Sequence, residues 1–170
     1  MKKNLIVASL VALLIVCMAI PALAAGIKIG QVQFAAHGTK CFAVMTVAMD
    51  GDKIVAAYID EYQFMGEGSI GVPNSEADFG TAYPEGKVLA SKKVNGDAYS
   101  ENMKKAGSTV HLADNYAAIE AFVIGKTVAE LEAEIAGKDA AAMVDAVSGS
   151  TLVDTLGYVN GLIEAAKAAK

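Results

Sequence analysis

Cys41-Phe42-Ala43-Val44-Met45-Thr46-Val47 and Lys53-Ile54-Val55-Ala56-Ala57-Tyr58-Ile59-Asp60 flank the dipeptide Asp50-Gly51, and the reading of this stretch decides the fold. Both runs carry β-branched, aromatic and other apolar residues, and Asp-Gly suits the positive-φ positions of a tight turn, so the pattern predicts an antiparallel hairpin. A shorter strand is predicted before it, near residues 31–34. Residues 62–86 are rich in glycine and contain Pro73 and Pro84, which predicts a long irregular excursion. In a compact domain such a loop is more often functional or mobile than idle.

From residue 98 onward the periodicity changes. Helical segments are predicted over 98–106, 115–124, 128–136 and 140–146. Leu152, Val153, Leu156, Val159, Leu162, Ile163 and Ala166 then mark a last helix of about four turns. Thr127 and Glu130 form the pattern of a capping box, and Gly137 reads as the stop of that helix. Strands first and helices later, without alternation, predict an α+β domain rather than a doubly wound sheet.

Lys2 and Lys3 precede an apolar run over residues 5–20, followed by Pro21 and the small-residue site Ala22-Leu23-Ala24. This is the pattern of a secretory signal peptide over residues 1–24, leaving one domain over 25–170. The expected location is outside the cell or in its envelope. The run is shorter than the ~18 residues or more of a spanning helix, but left uncleaved it would anchor the domain to the membrane. Cys17 follows the bulky Leu14-Ile15-Val16, which does not suit a lipoprotein cysteine.

The chain has a formal net charge of −5, and without residues 1–24 its 12 lysines face 19 carboxylates, a balance of −7. It contains no arginine, which together with the negative balance argues against nucleic acid as a partner. Cys41 is the one cysteine of residues 25–170 and reads as a small apolar strand residue. Two histidines and one cysteine give no zinc-ligand spacing.

The heptapeptide Asp145-Ala146-Val147-Ser148-Gly149-Ser150-Thr151 stands just ahead of the last helical segment. No other threonine of the chain has an aspartate six positions earlier, and the partial look-alike Gly107-Ser108-Thr109 fails at that position. The run resembles the recognition motif of flavin transferases: an aspartate, two free positions, a serine or threonine, a glycine and a small residue leading to an acceptor hydroxyl. Ser150 stands where that family usually has alanine. With Met143-Val144 before it and residues 152–169 after it, the segment is similar to the C-terminal end of FMN-binding domains of cell-envelope electron-transfer proteins. Residues 36–40, 60–64 and 125–128 extend the likeness over nearly all of 25–170.

The resemblance implies that a metal-dependent flavin transferase attaches FMN to Thr151 as a phosphoester, with Asp145, Ser148, Gly149 and Ser150 forming the signal it reads. It implies an electron carrier between a membrane donor, such as a quinone-linked dehydrogenase, and an external acceptor or partner reductase. A tether keeps the flavin from being lost by dilution outside the cytoplasm. It fixes only the phosphate, so the isoalloxazine still needs an apolar surface, for which Tyr62, Phe64 and Met65 are candidates, with His37 and Tyr116 behind them. Asp60 and Glu61 are adjacent on a strand and point to opposite faces, which does not suit a paired acid/base site.

Two other readings stay open. Thr151 followed by Asp154 is also the pattern of an ordinary capping box in a secreted, cofactor-free binding module. A helix start would in either case suit a phosphate. The third reading is an extracytoplasmic flavin-dependent reductase acting on a small molecule bound at the 62–86 loop.

Overall fold

The computed structural model describes residues 26–105 and 107–170; the export signal read over residues 1–24 lies outside them. Four strands, β1 (Lys28–Phe34), β2 (Cys41–Asp50), β3 (Lys53–Gly66) and β4 (Lys87–Ser91), form one antiparallel sheet in sequential order. Five helices follow: α1 (Gly96–Lys105), α2 (Leu112–Val123), α3 (Val128–Ile135), α4 (Ala140–Ala146) and α5 (Thr155–Lys167). The class is α+β.

The β2–β3 turn forms where Asp50-Gly51 places it, with Gly51 at φ +61°. A bulge follows, because Met49 pairs with Ile54 and Ala48 with Ala56, which leaves Val55 unopposed. That extra residue resets the alternation of β3. Beyond it Ala57, Ile59 and Glu61 lie opposite Val47, Met45 and Ala43, on the covered face of the sheet.

Helix α5 lies on β1 and β2, and α2 on β3, so among the described residues the α-helical cover is on one side. Met45, Val47, Ile54, Ile59, Tyr116, Ile119, Val159 and Leu162 are buried between the layers. Each such apolar side chain contributes roughly 1.5–3 kcal/mol of transfer free energy. Gly30 sets the close approach of α5, because a Cβ there would stand 1.8 Å from the Ala165 carbonyl oxygen. The capping box of α3 is present as predicted, with Thr127 and Glu130 exchanging side-chain and backbone bonds.

Three elements depart from the sequence-based expectation. Strand β3 runs on to Gly66, so Tyr62, Phe64 and Met65 belong to a strand and the irregular segment starts after them. Strand β4 pairs with that extension at Tyr62–Gly66 and had no counterpart among the predicted elements. Helix α5 begins at Thr155 rather than at 152, because Thr155 turns back and bonds the Leu152 carbonyl through both its N–H (3.0 Å) and its hydroxyl (2.6 Å).

Candidate functional site

Thr151 lies in the turn between α4 and α5 and opens onto a cavity of about 490 Å³, within the range of about 300–1,000 Å³ of small-molecule sites. The 151–154 turn and Tyr158 of α5 form one wall; Tyr99 and Met103, four residues apart on one face of α1, form another with Leu112. His37 from the β1–β2 connection also lines it, and Glu61 and Lys92 supply its buried charge. The second Gly-Ser-Thr triplet, Gly107-Ser108-Thr109, lines the same cavity.

The turn that presents Thr151 is tied down from three sides. Gly149 takes φ +93°, a left-handed conformation that glycine adopts without strain. Ser150 is buried with its hydroxyl 2.9 Å from that of Thr155. Thr151 donates its N–H (2.7 Å) and its hydroxyl (3.3 Å) to Oδ1 of the buried Asn115. Asn115 is held in turn by bonds from its Nδ2 to the carbonyls of Val110 and His111. Asp145 and Ser148 are exposed on the approach to the turn.

Thr151 caps no helix. The residue before α5 is Asp154, whose carboxylate makes no cap bond and pairs with His37 Nδ1 at the cavity instead. This corrects the capping-box reading of Thr151 and Asp154: the apolar spacing at Leu152 and Val153 belongs to the turn, not to the first helical turn.

Deeper in, Glu61 accepts three bonds on one oxygen: Oε2 receives Lys92 Nζ (2.5 Å), Tyr158 OH (2.9 Å) and Tyr116 OH (3.2 Å). The Lys92 and Glu61 side chains are 2% and 0% exposed. Burial works against the Lys92 ammonium, but the charge and hydrogen bond of Glu61 outweigh it and hold the lysine pKa above its ordinary value. Burial above all, reinforced by neighbouring charge, also raises Tyr116 and Tyr158 far above the ordinary tyrosine range. Glu61 Oε1 is buried and has no hydrogen-bond partner among the described residues. An orphaned oxygen of this kind costs about 1–3 kcal/mol, and more on a charged group.

The aromatic candidates are divided by the fold. His37 lines the cavity, and Tyr116 lies behind it, with its ring edge-to-face on Tyr158 at 5.4 Å. Tyr62 and Phe64 project from the other face of the sheet, where Tyr62 stacks on Phe42 and Phe64 meets Tyr83. They line a second cavity of about 470 Å³ that shares no residue with the first. Met65 lines neither. Asp60 and Glu61 do point apart: Asp60 accepts a bond from Ser91 (2.6 Å) on the face opposite Glu61. The Cys41 thiol donates to the His37 carbonyl, and burial, aided by Glu61, pushes its pKa up to about 11.

Six contributors escaped the sequence reading: Lys92, Tyr99, Met103, Leu112, Asn115 and Tyr158. The i, i+4 spacing of Tyr99 and Met103 is a signal that could have placed them together on a helix face. Lys92 had none, since Ser91-Lys92-Lys93 reads as a solvated run. No protein-family profile, no curated protein and no solved structure matches the chain.

Proposed function

We propose that this chain is an exported electron-transfer flavoprotein carrying FMN as a phosphoester on Thr151. It relays electrons between a membrane donor, such as a quinone-linked dehydrogenase, and an extracytoplasmic acceptor or partner reductase. The observation that carries the reading is the position of Thr151: a hydroxyl with no capping duty, in the one Asp-to-Thr heptapeptide of the chain, on the rim of a cavity with apolar and aromatic walls. The exposure of Asp145 and Ser148 supports recognition of the segment by a separate enzyme.

In the loading step the Thr151 oxygen bonds to the FMN phosphorus of FAD, AMP leaves, and the hydroxyl proton is lost. Bound there, the flavin supplies two-electron uptake and one-electron release. Asn115 holds the tether point, and Tyr99, Met103, Leu112 and Tyr158 exclude water from the ring.

Co-expression with a flavin transferase followed by intact mass tests the reading. The wild type should gain one FMN per chain, Thr151→Ala none, and Asp145→Ala none while keeping its melting temperature. A wild type that stays unmodified while another substrate of the same transferase is loaded overturns it.

A further inference from the structure

The carboxylate of Glu61 is used one-sidedly. Three donors converge on Oε2, while Oε1, equally buried, has none among the described residues. Lys92 mirrors this, for its ammonium has three donor hydrogens and among the described residues spends one, on Glu61, with the Tyr99 ring centroid 5.0 Å away. Both residues line the cavity onto which Thr151 opens. The fold thus keeps one anionic acceptor and one cationic donor side by side in the wall of the cavity, each with almost no surface open to water.

We propose that Glu61 and Lys92 read the imide edge of the isoalloxazine, with Glu61 Oε1 accepting its N3–H and Lys92 Nζ donating to a flanking carbonyl oxygen. That edge presents acceptor, donor, acceptor in a row, and the pair supplies the complement for two neighbouring positions. The inference rests on the reading of Thr151 as the FMN tether for the identity of the ring, yet it concerns a different part of the cavity. A buried polar group left unpaired by the wrong ligand discriminates far more strongly than apolar contact does. The walls alone accept any flat ring of suitable size, and the Glu61–Lys92 pair confines the cavity to rings with an imide edge.

The test uses the full chain produced without a transferase and two probes, lumiflavin and 3-methyllumiflavin, which differ only in the N3 hydrogen. Fluorescence titration should show lumiflavin bound about tenfold more tightly or better, a difference of about 1.4 kcal/mol. Tyr116→Phe, which removes a donor to Oε2 and leaves Oε1 untouched, should keep that preference, and Glu61→Leu should lose it. Because Glu61→Leu is at risk of misfolding, the comparison of the two probes on wild type decides by itself. Equal affinities, or no measurable binding of either probe, overturn the proposal. Mass analysis after co-expression with a transferase separates the two ideas. A preference without covalent loading leaves the edge reading standing and removes the tether, whereas loading without a preference does the reverse.

Discussion

The helix-covered face of the sheet holds a lysine and a glutamate almost free of solvent, whereas the open face holds Phe42, Tyr58 and Phe64 with a third or more of their surface exposed. A globular chain is expected to do the opposite, with charge outside and rings inside. Exposed rings cost a fold little. A buried ion pair is expensive, and replacing it by apolar residues is often neutral or stabilising. The covered face therefore carries something that packing alone does not require, and the open face does not.

Adjacent residues sharpen the contrast. Lys92 and Lys93 follow one another, but Lys92 meets Glu61 at 2% and 0% exposure, while Lys93 meets Glu120 at 23% and 16% and lies 3.8 Å from the Tyr58 ring centroid. Lys92→Met leaves the Glu61 charge uncompensated in the interior and should cost about 3–5 kcal/mol. Lys93→Met should cost about 1 kcal/mol. Urea unfolding of the two variants measures both, and similar costs would erase the distinction between the faces.

The same cluster sets an alkaline limit. Lys92, Tyr116 and Tyr158 all have pKa values raised by folding. Each holds its proton more tightly when folded, so their contribution is fully present below the unfolded values of about 10 for tyrosine and 10.4 for lysine, and fades as pH climbs from there toward the folded values. The melting temperature should fall steeply above about pH 10. A flat profile from pH 9 to 12 would show the cluster to be solvated.

Close packing gives a smaller effect on the same two faces. Gly30→Ala pushes a methyl into the Ala165 carbonyl of α5, and because the obstacle is backbone it should cost about 1–3 kcal/mol. Its neighbour Gln31 is exposed on the open side, with a bond to Thr46, so Gln31→Ala should stay within about 0.5 kcal/mol.

What could be read from the residues, and what could not, follows the same division. The hairpin was legible because Asp50-Gly51 is local turn chemistry, and the α3 cap because Thr127 and Glu130 are three residues apart. The α+β class followed from the order of the two periodicities. Strand β4 was not legible, since five residues bounded by Lys87 and Ser91 show little alternation and the strand is fixed by its partner β3. Nor was the burial of Lys92, which depends on a bulge near Val55 resetting β3 so that Glu61 faces inward. Non-local pairing decides such positions, and a single chain of letters does not display it.

Thr151 carries the smallest expected stability change and the sharpest functional one. As a helix cap its loss would cost about 1 kcal/mol, but α5 starts four residues later with Asp154 before it. What Thr151→Ala removes is one long hydroxyl bond to Asn115 Oδ1, while the stronger bond from its own backbone N–H to the same oxygen remains. The unloaded variant should therefore melt within about 0.5 kcal/mol of the unloaded wild type. Thr151→Ser, which restores a hydroxyl, should recover covalent label at least in part, and Thr151→Ala should show none in a denaturing gel. A large loss of stability in the alanine variant would return Thr151 to a structural role. Covalent label surviving in it would move the acceptor elsewhere, with Thr109, the other threonine on this cavity, the first residue to examine.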